Sequence, residues 1–219
     1  MMNRFQPFLA RQLGNPSGWF GRLLLRLLNR GNATLNDLVL EALQSQSGDS
    51  EGAIADPRVL EIGFGGGDLI DKLVATGQPS KVVGVERSPD ALQLCQRRFR
   101  RQIAQGTVEL HQANAEDLPF AEDSFSHICT VNTLYFWPSA PRVLAECHRV
   151  LCPGGRLVIG YASKAYLERQ GLTQHGFSAY ETAEVEALLS TAGFTAVSTR
   201  GDRSDRAEEI FCTSGAVPP

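Results

Sequence analysis

The sequence predicts an α/β domain with a doubly wound, mostly parallel sheet, and three observations favour this fold class. Between residues 57 and 162, short apolar or β-branched segments typical of strands alternate with helical patterns, which indicates parallel βαβ units. Segments such as KVVGV (81–85) and HICTV (127–131) are apolar at nearly every position, as expected of strands buried on both faces. A glycine-rich run, GFGGG (63–67), directly follows the first predicted strand.

Turn signals and periodicity define the individual elements. Strands are predicted at 59–62, 81–85, 107–111, 126–131 and 156–160, the last of them after the turn PGG (153–155). Helices are predicted near 68–76, 89–104 and 139–150, with Asp68 as the N-cap of the first. Residues 1–50 have helical patterns and end in the polar segment QSQSGDSEG (44–52). We therefore expect an N-terminal helical arm over 1–50 and one α/β domain over 51–219.

Composition narrows the class of protein. With 219 residues, 42% hydrophobic and 21% charged, the chain is of ordinary globular type, and its net charge of -3 gives no general attraction to nucleic acid. The five cysteines are scattered and form no CxxC pair, which is typical of reduced thiols in the cytoplasm. Cys147, His148 and Cys152 are one ligand short of a closed zinc site, so no metal is expected. No apolar run reaches the length of a membrane span and the first residues do not resemble a signal peptide.

The glycine run suggests a nucleotide-type ligand. Gly63, Gly65 and Gly67 allow a sharp turn and a close approach of a ligand to the main chain, although a tight turn alone also uses glycine. Glu86 ends the second predicted strand 23 residues after Gly63, where a carboxylate can accept hydrogen bonds from both ribose hydroxyls of an adenosine. Asp68 stands where a dinucleotide fingerprint has its third glycine and would repel a pyrophosphate, so a cationic or zwitterionic cofactor is favoured over a dinucleotide.

Four segments in register carry a resemblance to a known family. They are VLEIGFGGGDL (59–69), VVGVERS (82–88), QANAEDLPFAEDSFSHICTVNTLYFWP (112–138) and LAECHRVLCPGGRLVIG (144–160). In order and spacing the chain resembles class I S-adenosylmethionine-dependent methyltransferases, and within them the small-molecule branch that contains the ubiquinone and menaquinone C-methyltransferases. The resemblance implies a Rossmann-like seven-stranded sheet in the order 3-2-1-4-5-7-6 with the last strand antiparallel. YETAEVEALLSTAGFTAV and EEIFCTSG are similar to the final helix and hairpin of that fold.

The resemblance also implies a cofactor site for S-adenosyl-L-methionine. Glu86 would bind the ribose and Asn132 would lie near the methionine moiety, while Asn114 borders the adenine or only caps its turn. Arg87, where the family often has an apolar residue, would stack on adenine or face water. The implied cofactor-binding residues are Glu61, Gly63, Phe64, Gly65, Glu86, Arg87, Asn114, Ala115, Glu116 and Asn132.

The N-terminal arm contains a predicted amphipathic helix. In GWFGRLLLRLLNRGN (18–32), Arg22, Arg26 and Arg30 form one basic stripe opposite a leucine-rich face. A helix docked on the domain, a lid over the cofactor and a weak membrane contact all fit this pattern.

The predicted function is methyl transfer from S-adenosylmethionine to a small-molecule acceptor, with release of S-adenosylhomocysteine. A general base is needed where the acceptor must lose a proton, and the candidates are His175, Tyr135 and Tyr161. Tyr135 and Trp137 have polar groups that suit a pocket rim, whereas core packing is an alternative for Phe136. A non-catalytic module that binds the cofactor or its product stays open as the alternative. The acceptor and the oligomeric state are not encoded in any pattern.

Overall fold

The computed structural model describes residues 32–44, 57–175, 177–202 and 209–219. These residues build one seven-stranded sheet in the order β3-β2-β1-β4-β5-β7-β6. All pairings are parallel except those of β7, which is antiparallel to both β5 and β6. The predicted fold class and strand order are confirmed. The strands are β1 (Arg58–Ile62), β2 (Lys81–Glu86), β3 (Val108–Gln112), β4 (Phe125–Val131), β5 (Leu151–Ala162), β6 (Thr195–Gly201) and β7 (Ile210–Ala216).

Helices cover both faces of the sheet and bury two apolar clusters against it. One cluster includes Leu144 and Leu189, which come from the helices that follow β4 and precede β6. The other includes Val39, Leu73 and Phe99, from helices before β1 and after β1 and β2. The helices are α1 (Ala33–Gln44), α2 (Asp68–Thr76), α3 (Pro89–Arg98), α4 (Arg100–Ala104), α5 (Ala140–Val150), α6 (Lys164–Arg169) and α7 (Thr182–Thr191), with 3₁₀ turns at Leu134–Phe136 and Leu172–His175.

Three predicted boundaries differ from the structure for local reasons. The helix predicted over 89–104 is divided at Phe99, which leaves the helical region (φ -99°, ψ 19°) and buries its ring beside Gly67. Asp68 is the first residue of α2, and the N-cap is Gly67 in the left-handed conformation. Strand β5 begins at Leu151, because Gly154 (φ +76°) donates a hydrogen bond to the Val217 carbonyl and kinks the strand without ending it.

Helix α1 packs directly on the middle of the sheet. Its buried residues Leu35 and Val39 lie against Gly160 of β5, where an added Cβ would stand 2.6 Å from Val39 Cγ2. The absence of a side chain at Gly160 therefore sets how closely α1 approaches β5. Residues 33–44 of the predicted arm thus form a layer of the domain. The predicted boundary at residue 50 and the helix with Arg22, Arg26 and Arg30 lie outside the described residues, so the division into arm and domain stays a prediction.

Candidate active site

A cavity of about 570 Å³ lies at the carboxyl ends of β1, β2, β4 and β5. Open parallel sheets bind ligands at this edge, and the volume is within the usual range of small-molecule sites. Nine of the ten predicted cofactor-binding residues line it, all except Glu116. The fold therefore brings together side chains that are far apart in the sequence. Whether they bind a cofactor stays a prediction.

The glycine run forms a tight loop from β1 into α2. Gly63, Gly65 and Gly67 all have left-handed φ angles, and the Gly63 N–H donates to the Val85 carbonyl at 2.8 Å. Arg98 of α3 also stabilises the loop, because its Nη1 donates a hydrogen bond to the Gly66 carbonyl at 2.7 Å. The loop is thereby fixed to two neighbouring elements, β2 and α3.

Phe64 has two roles, one in the cavity lining and one in the packing of the loop on the sheet. It contributes to the cavity lining, but its ring is buried and occupies the space left by Gly84 of β2. A Cβ on Gly84 would stand 2.6 Å from Phe64 Cδ1. The absence of a side chain at Gly84 thus lets Phe64 and its loop lie close to the sheet.

Glu86 connects the glycine loop to the start of α3. Its Oε2 accepts from the Gly65 N–H at 3.1 Å, and its Oε1 accepts from the Ser88 N–H at 2.9 Å. Each carboxylate oxygen has a further acceptor position, so the predicted ribose contact is compatible with both bonds. Arg87 is exposed and also lines the cavity.

Glu61 is a buried carboxyl at the cavity wall. It is 3% exposed, and its Oε2 has no hydrogen-bond partner among the residues that the structure describes. Burial, followed by the negative charges of Glu86 and Asp68, raises its pKa to about 8, while the Ile70 backbone N–H and Arg98 act in the opposite direction. A positively charged ligand in the cavity would favour the ionised form of Glu61.

The segment after β3 forms a tight turn at the cavity edge. Asn114 Oδ1 accepts from the Glu116 N–H at 3.2 Å, and the Asn114 carbonyl accepts from the Asp117 N–H at 3.0 Å. Asn114 therefore caps this turn and lines the cavity at the same time, together with Ala115. Glu116 is a member of the turn without reaching the lining.

A series of hydrogen bonds along the cavity wall joins Asn32, the residue before α1, to Ala162 at the end of β5. Asn132, in the left-handed conformation (φ +56°), donates from Nδ2 to Asn32 Oδ1 at 3.0 Å. Asn132 Oδ1 accepts from the Tyr135 hydroxyl at 2.9 Å, and this hydroxyl accepts in turn from the Ala162 N–H. Burial is the main cause that raises the pKa of Tyr135 well above its ordinary value. With its hydroxyl engaged in this way, Tyr135 is suited to position neighbouring groups and not to accept a proton.

The other two candidate bases have different outcomes. Tyr161 is 1% exposed, its hydroxyl bonds Thr213 Oγ1 at 2.8 Å, and burial raises its pKa to about 12. Since it is absent from the cavity lining, we withdraw Tyr161 as a base. His175 ends the second 3₁₀ turn, and its side chain lies outside the described part of the chain.

Sequence reasoning missed two amides of the site. Asn32 and Asn36, at the start of α1, line the cavity although α1 precedes every recognised motif. Their spacing of four residues, which places them on one helix face, was the available signal.

Within the described ranges, the structure has no cluster of three or more His, Cys, Asp or Glu suited to a metal ion. Likewise, none of the helices described is long and apolar enough to cross a membrane.

Comparison with known proteins agrees with this geometry. Residues 60–159 match the family model described as "Methyltransferase domain". These residues carry a methyltransferase domain. The match covers the glycine loop, Glu86, the Asn114 turn and Asn132.

The chain has relatives in several bacteria. A probable phthiotriol/phenolphthiotriol dimycocerosates methyltransferase 2 of Mycobacterium ulcerans is 31% identical over 67% of this chain and 50% of its own length. A ubiquinone/menaquinone biosynthesis C-methyltransferase of Klebsiella pneumoniae is 30% identical over 66% of this chain and 58% of its own length. The chain thus spans about half the length of these relatives.

The fold is shared with solved methyltransferase structures. An S-adenosylmethionine-dependent methyltransferase from Aquifex aeolicus superposes with a TM-score of 0.67 at 19% identity, covering 96% of this chain and 98% of the other. This similarity extends beyond the matched residues 60–159 to the helices and strands on both sides. The whole described chain therefore has the architecture of a methyltransferase domain.

Proposed function

We propose that this protein transfers a methyl group from S-adenosyl-L-methionine to a small-molecule acceptor and releases S-adenosylhomocysteine. The observation that supports this most directly is the Glu61 carboxyl, which is buried at the cavity wall with one oxygen unpartnered and two further acidic residues nearby. A carboxyl in this position favours a cationic ligand group, and this cofactor carries a sulfonium and an ammonium group. Glu61 and Glu86 would hold its methionine and ribose parts, with the glycine loop between them.

The residues of the chain act mainly by orientation. When bound, the cofactor would supply a methyl group on a positively charged sulfur; the C–S bond would break, leaving a neutral thioether, as the acceptor's electron pair forms the new bond to the methyl carbon. Glu86 and Arg98 hold the glycine loop in one conformation, and the chain of bonds through Asn132 and Tyr135 fixes the opposite side of the cavity. Orientation of this kind lowers a barrier by up to about 7–11 kcal/mol.

A small-molecule acceptor is supported by the cavity and by the relatives. The volume of the cavity suits a metabolite. The two relatives are named as a phthiotriol/phenolphthiotriol dimycocerosates methyltransferase and a ubiquinone/menaquinone biosynthesis C-methyltransferase. With Tyr135 engaged and Tyr161 remote, His175 is the sequence-predicted base that we retain as a proposal.

Location and partners belong to the same proposal. Five free cysteines, four of them buried, support a reducing cytoplasmic location. The net charge of -3 supports a partner other than nucleic acid. We further propose that the arm before Asn32 closes over the cavity as a lid, since Asn32 already contacts Asn132 at the cavity wall.

Calorimetry tests the cofactor site, and product release tests the reaction. We expect S-adenosylhomocysteine to bind and NAD to show no heat of binding. Incubation with S-adenosylmethionine and candidate acceptors should then release S-adenosylhomocysteine. Binding without release for any acceptor would instead support the non-catalytic module, and binding of NAD alone would contradict both functions.

A further inference from the structure

One side of the cavity is a wall of three aromatic rings, Tyr135, Phe136 and Phe177, here called the aromatic trio. The ring centroids of Phe136 and Phe177 are 4.6 Å apart in an edge-to-face arrangement, and Tyr135 stacks on Phe177 at 5.8 Å. All three residues line the cavity, and Tyr135 and Phe177 are buried. The trio is a preformed apolar surface, of the kind that packs against another ring.

Charged side chains occupy the opposite side of the cavity. The carboxyl and guanidinium groups of the lining come from β1, β2, the residue after β2 and the first residue of α2; they belong to Glu61, Asp68, Glu86 and Arg87. The lining residues that follow β4 and β5 in the described chain carry no ionised side chain. An ionised group next to the aromatic trio would lose hydration without a counter-charge, which is costly.

A buried asparagine lines the same cavity. Asn36 is 4% exposed and belongs to the cavity lining. It lies one helical turn beyond Asn32, which is bonded to Asn132 and through it to Tyr135 of the trio. An amide in the cavity lining can donate a hydrogen bond to, or accept one from, a polar group of a ligand.

We infer that the acceptor is an uncharged molecule with an apolar ring, packed against the aromatic trio and hydrogen-bonded through an oxygen to the Asn36 amide. This inference rests on the proposed function, because it assigns the acceptor side of the same cavity. It separates a cofactor side with ionised residues from an acceptor side with rings and an amide.

Binding of 2-naphthol, an uncharged ring with one hydroxyl, tests the inference. Calorimetric titrations use the full chain with and without saturating S-adenosylhomocysteine, and choline and benzoate serve as cationic and anionic probes. We expect 2-naphthol to bind more tightly than either ion. Asn36→Leu, which keeps the side-chain volume and removes the amide, should weaken its binding roughly three- to tenfold, and Phe177→Leu should weaken it by a similar factor.

Phe120→Leu is the matched control. Phe120 is also an aromatic residue packed on the core, at 4.9 Å from the Phe125 ring, but it does not line the cavity. This variant should bind 2-naphthol as the unmodified protein does. If Phe177→Leu does not fold, Phe136→Leu takes its place, because Phe136 is less buried.

The outcomes distinguish the inference from the proposed function. Tighter binding of choline or benzoate, no binding of 2-naphthol, or an equal loss in Phe120→Leu would each overturn the inference, whether or not S-adenosylhomocysteine binds. Failure of S-adenosylhomocysteine to bind the unmodified protein would contradict the proposed function alone, since the titrations without it still report on the acceptor side.

Discussion

Replacing the buried Glu61 by glutamine should change how the stability of the protein depends on pH. The carboxyl is surrounded by Glu86 of β2, Asp68 of α2, Arg98 of α3 and the buried thiol of Cys95. Glutamine has nearly the same shape, and its amide oxygen can still accept from the Ile70 N–H that bonds the carboxyl. The substitution therefore removes the titration and preserves the packing.

The size and sign of the effect follow from the shifted pKa. Since the pKa rises from 4.5 to about 8, the folded chain binds this proton more tightly than the unfolded chain does. The resulting contribution to stability is complete below about pH 4.5 and is lost as the pH rises towards 8. The loss is about 1.4 kcal/mol per pH unit within that window, or about 3 kcal/mol between pH 5 and pH 7.

Urea unfolding at several pH values measures this difference. The free energy of unfolding of the unmodified protein should fall relative to that of Glu61→Gln as the pH rises from 5 to 8, and the two curves should run parallel above pH 9. Titration with S-adenosylmethionine at pH 7 in buffers of different ionisation enthalpy should show release of a proton by the unmodified protein and none by the variant. Parallel stability curves throughout would refute the assignment of a buried, protonated Glu61.

Three further substitutions test the site. Glu86→Ala should weaken S-adenosylhomocysteine binding roughly ten- to a hundredfold and lower stability by about 1–3 kcal/mol, because two backbone N–H groups lose their acceptor; unchanged affinity in calorimetry would contradict the ribose contact. Gly63→Ala should destabilise more than Gly154→Ala by about 1–3 kcal/mol in thermal unfolding. Both have φ near +75°, but only the Cβ at Gly63 meets an atom, Thr133 Cγ2 at 2.4 Å; equal losses would argue against that contact. Tyr135→Phe should lower stability by about 1–3 kcal/mol by freeing the partners of its hydroxyl, while the pH dependence of methyl transfer stays unchanged; loss of a titration step from that profile would restore Tyr135 as a base.

Local patterns predicted the strands, and the family resemblance supplied their order in the sheet; nine of the ten residues predicted to bind the cofactor lie at one cavity. Strand alternation and turn signals depend on neighbouring residues, and the glycine loop and Glu86 are held by bonds between adjacent strands. The acceptor side depends on contacts between distant segments. Asn32 and Asn132, which are hydrogen-bonded, are brought together by the packing of α1 on β5, which no local pattern specifies.

The errors have the same physical origin. Tyr161 faces the core because strand residues alternate between the two faces of the sheet, and the face was not assigned from sequence. Phe99 divides a helix because its ring fills the space beside Gly67, a contact across 32 residues of sequence.

Because α1 packs closely on Gly160, a substitution at this buried position would act on the cavity indirectly, through the helix. Gly160 does not line the cavity. A methyl group there would nevertheless clash with Val39 and displace α1 as a rigid body. Asn32 and Asn36, which line the cavity at this end of the helix, would move with α1. Substitutions at residues 160 and 39 would therefore be coupled. Gly160→Ala would need a smaller side chain at residue 39, as in Val39→Ala, to keep the two amides in place.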